Sequence, residues 1–172
     1  TAPINVDQRF VPGETVILTK PLGTGLINTA LRAGMVSPSA LAAAIDSMTR
    51  LNREAGRIAA AAGASACTDV TGFGLLGHAA EMVAGAPAGL RIDFAKVPLL
   101  PDVAEYAATG LIPAGTYRNR AFRERVVVNH AELPAISSDI LFDPQTSGGL
   151  LFTVAKEKAE QVLAELASTG AT

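Results

Sequence analysis

Ala66-Cys67-Thr68-Asp69-Val70-Thr71-Gly72-Phe73-Gly74-Leu75-Leu76-Gly77-His78 is the stretch on which the reading of this chain turns. Ala64 to Val70 is a short strand-like run that carries an acid, Asp69, near its end. The pattern then breaks at Gly72 and Gly74 into a helical one, with Leu75, Leu76, Ala79, Met82 and Val83 on one face. Strand, carboxylate, glycine turn and helix start, in that order, suit a phosphate or metal–phosphate site. The N–H groups at a helix start attract anions, and a carboxylate beside them can hold a divalent cation.

Competing readings fit these residues. Gly72, Gly74 and Gly77 match the G-x-G-x-x-G dinucleotide fingerprint, and Asp93 follows at about the expected 20 residues. Asp69 speaks against it. A Rossmann first strand is buried on both faces and apolar up to its glycines, whereas Cys-Thr-Asp-Val-Thr is half polar. A carboxylate next to a pyrophosphate also repels it unless a cation intervenes. In the second reading Asp69 is a Mg²⁺ ligand, since Mg²⁺ takes one or two carboxylates and fills its shell with substrate oxygens and water. A plainer alternative makes Asp69 a cap that accepts N–H bonds from Thr71 or Gly72.

Upstream, Pro12-Gly13-Glu14 turns the chain into a strand, Thr15 to Thr19, and Pro21 stops it. Leu26 to Ala33 reads as a short helix ended by Gly34. Ser37-Pro38 is a helix start, Ser as N-cap and Pro preset for the first turn. From there Leu41, Ile45, Met48, Leu51, Ala55, Ile58 and Ala62 recur at helical steps up to Gly63, which predicts one long helix with Asp46 and Arg50 paired on its outer side. Downstream, Leu90 to Phe94 alternates like a half-buried strand, and Pro101 to Thr109 reads as a helix. Leu111 to Arg125 reads as a loop or interface holding the chain's cluster of four arginines, Arg118, Arg120, Arg123 and Arg125. Val126 to Val128 suggests a short strand and Ser137 to Phe142 a helix. The turn Gln145 to Gly149 feeds a strand, Leu150 to Val154, and Lys156 to Ala167 is the last helix. Strands alternating with helices predict an α/β layered domain with a mixed or parallel sheet.

The 172 residues are 49% hydrophobic but only 5% aromatic, without Trp, so the core must be aliphatic and rich in alanine. A net charge of −2 offers no basic footprint for nucleic acid, and no apolar run reaches membrane-spanning length. Cys67 is the single cysteine, which excludes a disulfide framework and fits a reducing, cytoplasmic setting. Without a basic neighbour in sequence it reads as a small buried residue, not a nucleophile. His78 reads as a histidine at the core edge, and Gln145 to Gly149 either as an anion nest or as plain strand entry.

Four motifs in fixed order extend the reading: Lys20-Pro21-Leu22-Gly23-Thr24-Gly25, Thr68 to His78, Ile112-Pro113-Ala114-Gly115-Thr116 with Asn119, and Asp143-Pro144-Gln145-Thr146-Ser147-Gly148-Gly149. From about Pro12 onward the chain closely resembles the C-terminal half of the selenophosphate synthetase (selenide, water dikinase) family, in the aminoimidazole ribonucleotide synthetase-like superfamily. The resemblance implies an α/β domain, partly ferredoxin-like, spanning 14–172 behind a linker at 1–13. It also implies an enzyme that converts ATP, selenide and water to selenophosphate, AMP and phosphate. Its partners would be its own N-terminal domain and a second subunit in a homodimer. By position, the resemblance makes Asp69 the family's magnesium ligand; Thr71, Gly72 and Gly74 are the candidate phosphate contacts beside it. The family's catalytic Cys or Sec and its paired Lys would lie upstream, so this chain carries no catalytic residue of its own and is expected to be inactive alone. The family pattern continues beyond the last helix with one more strand. A non-catalytic binding or dimerisation module of the same superfamily is the alternative.

Overall fold

Leu150-Leu151-Phe152-Thr153-Val154 is bracketed by glycine at one end and by a helix start at the other, and every one of its residues is buried. A short apolar strand buried throughout belongs in the middle of a sheet with both faces covered. The computed structural model, which describes residues 11–171, places it there. This strand, β3, lies between β1 (Thr15–Leu18) and β2 (Ala66–Asp69) in a three-stranded sheet of order β1-β3-β2. Both pairings are antiparallel, with Ile17 opposite Phe152 and Cys67 opposite Phe152. Among the described residues the parallel component is an isolated bridge, Leu22 to Leu99. The α/β expectation therefore holds, and the sheet itself is antiparallel. Most of the expected linker, 1–13, lies outside the described residues.

Strand periodicity divides the core into two. Leu150, Phe152, Val154 and Ile17 point to one face, where they meet Ala55, Ile58 and Ala59 of α3 (Arg53–Ala62) and Ala159, Val162 and Leu166 of α8 (Ala159–Ser168). Leu151 and Ala66 point to the other. That face is covered by α1 (Thr24–Arg32), α2 (Pro38–Thr49), α4 (Gly74–Met82), α5 (Val103–Ala108) and α7 (Ala135–Leu141). An aliphatic, alanine-rich composition suits this arrangement, because small side chains let several short helices approach a small sheet closely.

Several expectations are corrected. The long helix from Pro38 is two helices, α2 and α3, separated at Arg50–Asn52, where Arg50 is extended (φ −68°, ψ 123°). Tertiary contacts explain the break: Lys20 donates to the Arg50 carbonyl at 2.7 Å and Asn52 to the Gly148 carbonyl at 2.9 Å. The buried stripe of α2 is Ala40, Ala44 and Ser47, while Ile45 and Leu51, assigned to the core by periodicity, are 49% and 70% exposed. The predicted caps do form: Ser37 Oγ accepts from Ala40 N at 3.1 Å, Gly63 ends α3 at φ 74°, and Arg50 pairs with Asp46 at 2.6 Å.

Leu90 to Phe94 is not a strand. It pairs with none of the three strands and ends at a 3₁₀ turn, Phe94–Lys96, whose Ala95 amide donates to Asp93 Oδ1. Val126 to Val128 is not a strand either: Val126 is the last residue of a 3₁₀ turn, Glu124–Val126. The stretch expected as an arginine-bearing loop contains a helix, α6 (Ala114–Arg123), which buries Thr116 and Asn119.

Candidate functional site

β1 and β2 end where β3 begins, with Leu18 opposite Leu151 and Asp69 opposite Leu150. Three loops therefore meet at one end of the sheet: the segment after β1, the turn between β2 and α4, and the segment before β3. They carry three of the sequence motifs.

The first and third loops clasp each other. Gln145 is buried, and its Oε1 accepts from Gly23 N (3.0 Å), Thr24 N (3.3 Å) and Thr24 Oγ1 (3.2 Å). Its amide donates to the Asp143 carboxylate at 2.8 Å and to the Asp143 carbonyl at 2.9 Å. Asp143 Oδ2 also accepts from Gly25 N at 3.1 Å. Helix α1 starts at a glycine with no side-chain cap of its own, so its orphan N–H groups and the positive end of its dipole are answered by side chains about 120 residues away. Complete burial pushes the Asp143 carboxyl up to about 7, against the opposing pull of those N–H donors. Lys20, 4% exposed, donates to the Arg50 and Ser147 carbonyls at 2.7 and 2.9 Å. Burial, and then the nearby Arg50 cation, lower its pKa.

The middle loop is held by the clasp but left open. Val70 N donates to Gly149 O (2.8 Å), Gln145 N to Thr71 O (2.9 Å), and Asn119 Nδ2 to both Gly72 O (2.8 Å) and Phe142 O (3.0 Å). Gly74 has φ +71° and is buried against loop 142–143, where a Cβ would fall 2.7 Å from the Phe142 carbonyl carbon. At Gly77 a Cβ would fall 2.6 Å from that of Phe73, so this glycine lets the turn fold back onto α4. Asp69 is exposed at the strand end. Among the described residues nothing donates to its carboxylate, so it is not the cap for Thr71 or Gly72. The Gly74 amide donates to the Thr71 carbonyl at 3.0 Å, while the amides of Thr71 and Gly72 have no partner among the described residues.

His78, buried on α4, faces this turn. Its Nε2 lies 3.2 Å from Thr71 Oγ1 and 3.4 Å from Phe73 N, and its Nδ1 3.3 Å from Glu81 Oε2. Burial and then the Asp69 charge push the Cys67 thiol up to about 11, which makes it an inert side chain at neutral pH. The arginine cluster is dispersed. Arg120 pairs with Asp139 and Arg123 with Glu81, while Arg118 and Arg125 are exposed.

The dinucleotide reading does not survive this geometry. It needs parallel strands joined by the helix, and the strand after α4 that would carry Asp93 does not form. Residue-level reading also passed over Gln145, Asp143, Asn119 and Lys20 as organisers. For Lys20, Asp143 and Gln145 the one signal is polar residues set among Gly and Pro in two distant loops, which marks turns but not pairing; Asn119 lies on α6, hidden in the arginine stretch.

A family model described as "AIR synthase related protein, C-terminal domain" matches residues 11–172. The chain is 49% identical over 158 residues to a selenide, water dikinase of Pelobacter propionicus, covering 92% of this chain and 45% of that protein. It is 45% identical over 159 residues to the selenide, water dikinase of Citrifermentans bemidjiense, covering 92% and 46%. Among solved structures, the E. coli hydrogenase maturation protein HypE superposes with a TM-score of 0.60 at 21% identity, over 94% of this chain and 40% of that one. That likeness concerns the fold. The chain spans about half the length of the curated relatives it matches. It belongs to the AIR synthase related protein, C-terminal domain family, and within that family it is similar to the selenide, water dikinases.

Proposed function

We propose that this chain is the C-terminal domain of a selenophosphate synthetase, which turns ATP, selenide and water into selenophosphate, AMP and phosphate. Residues 14–172 would form the domain and 1–13 the link to an N-terminal domain, in a homodimeric cytoplasmic enzyme. The similarity to selenide, water dikinases supports the chemistry. The observation that carries the site is the open turn: an exposed carboxylate without a donor beside two amides without partners among the described residues.

Asp69 would hold Mg²⁺ together with ligands from outside the described residues, since no three His, Cys, Asp or Glu side chains converge among them. One carboxylate is an adequate share for a cation that keeps water and phosphate oxygens in its shell. A Mg²⁺ held there would supply charge neutralisation to the phosphates. Thr71 and Gly72 would offer their amides to phosphate oxygens, and Gly74 shapes the turn that presents them. With the amides set by the clasp before substrate arrives, little reorganisation remains at binding.

The test is selenide-dependent AMP formation from Mg·ATP by the full-length protein, expected to be present, and by the 172-residue chain, expected to be absent. Failure of the full-length protein, or activity of this chain alone, overturns the reading.

A further inference from the structure

The hydrogen bonds around His78 dictate a tautomer. A backbone N–H can only donate, so the contact from Phe73 N requires a lone pair on Nε2. The Thr71 hydroxyl, which can act either way and lies 3.2 Å from the same nitrogen, then shares that single lone pair in a three-centre contact. The ring proton is left on Nδ1, which lies 3.3 Å from the Glu81 carboxylate. Glu81 is anchored in turn, its other oxygen lying 3.1 Å from Arg123 of α6. The Arg123 guanidinium sits 4.5 Å over the Phe122 ring, that ring is 6.2 Å from Phe73, and Phe73 is 5.5 Å from the His78 ring. The contacts close into a circuit that begins and ends on the open turn. Packing alone would require neither this tautomer nor an acceptor aimed at a turn amide.

We propose that His78 is a positioning residue for the phosphate turn. As the neutral Nδ1–H tautomer it holds Thr71 through its hydroxyl and Phe73 through its amide, and so keeps the Thr71 and Gly72 amides available to a phosphate oxygen. Glu81 and Arg123 fix the ring and link its pose to α6. The proposal rests on the metal–nucleotide reading of Asp69 and its turn.

Two measurements on the full-length protein test it. Imidazole ¹⁵N NMR with selectively labelled histidine should show His78 as the Nδ1–H tautomer without nucleotide, and an Nε2–H tautomer overturns the proposal. In steady-state kinetics with Mg·ATP, His78→Leu should raise KM about tenfold with kcat little changed, the signature of lost uniform binding. His78→Gln, whose Oε1 can stand where Nε2 stands, should restore KM to within about twofold. If His78→Leu fails to fold, the tautomer and the His78→Gln KM decide the matter. Mg²⁺-dependent turnover retained by Asp69→Asn overturns the underlying reading. An unchanged KM in folded His78→Leu, beside an inactive Asp69→Asn, overturns the positioning role alone.

Discussion

The clasp between Lys20–Gly25 and Asp143–Gly149 and the turn from Asp69 to Gly74 adjoin at one end of the sheet, yet they treat polar groups in opposite ways. In the clasp, Gln145 uses both ends of its amide, Asp143 and Gln145 cap α1, and Lys20 spans two carbonyls, all buried. In the turn, a carboxylate and two amides stand without partners among the described residues. Both segments combine Gly and Thr with a single Asp, and in composition they look alike. Burial separates them. A buried polar group left unmatched costs about 1–3 kcal/mol, whereas an exposed one is satisfied by water. Changes in the clasp should therefore be felt as lost stability, and changes at the exposed groups of the turn as lost chemistry in a protein that still folds.

Asp69→Asn gives the largest effect and breaks the comparison if it fails. Turnover of the full-length protein should fall by at least about a hundredfold as a charged ligand is lost. The Tm should move by no more than about 2 °C, because the side chain is exposed and accepts nothing. Mg²⁺-dependent kinetics and a thermal melt on one preparation read both quantities.

Gln145→Leu is the mirror experiment. It strands the Gly23 and Thr24 donors and removes the partner of Asp143. Stability should drop by about 3–5 kcal/mol, roughly 10 °C in Tm, as measured by denaturant and thermal unfolding. A loss of activity without a loss of stability would erase the distinction between the two loops.

Asp143→Asn sharpens it through pH. With the carboxyl raised in the fold from 3.8 to about 7, the native state keeps a proton that the unfolded chain releases near pH 4. The contribution of this group is complete below that pH, declines as pH rises toward 7, and is flat above. Asparagine cannot ionise, and its oxygen can accept from Gly25 and Gln145 as Asp143 Oδ2 does. Relative to the variant, the wild-type Tm should fall by several degrees between about pH 4.5 and 7.5. Parallel profiles would show that Asp143 stays ionised in the clasp.

Arg57→Ala should give the smallest effect. Arg57 joins Glu54 and Glu165 at 2.9 Å each, tying α3 to α8 outside the core, but all three side chains are well exposed. No resolvable change in Tm is expected, since water screens such pairs. A clear drop would mean that the α3–α8 face depends on surface charge as well as on its core.

Local physics made much of the fold legible. The Ser37 cap, the Gly63 stop, the buried β3 run and the helix opening at Gly74 depend on neighbours in sequence, and all of them form. Errors arose where distant residues override a local preference. Apolar periodicity runs through Leu51, but the Arg50 carbonyl is turned toward Lys20 and the helix breaks. Leu90 to Ile92 alternate as a strand would, yet they serve as partly buried packing against the core. The arginine stretch hid a helix because the partners of Arg120 and Arg123, Asp139 and Glu81, lie far along the chain.

At the candidate site, what the sequence by itself determined is the order of parts: a strand ending in Asp69, a glycine turn, a helix start and two loop motifs, because strand, turn and cap preferences act within a few residues. Tertiary structure alone decided that the two loop motifs spend their polar groups on each other, that Gly74 and Gly77 serve close packing, and that His78 turns its acceptor to the turn. The clasp depends on which donor meets which acceptor after the sheet brings residues more than a hundred positions apart into contact, and the poses of Gly74, Gly77 and His78 on how the turn folds back against α4 and loop 142–143; one-dimensional spacing carries no record of either.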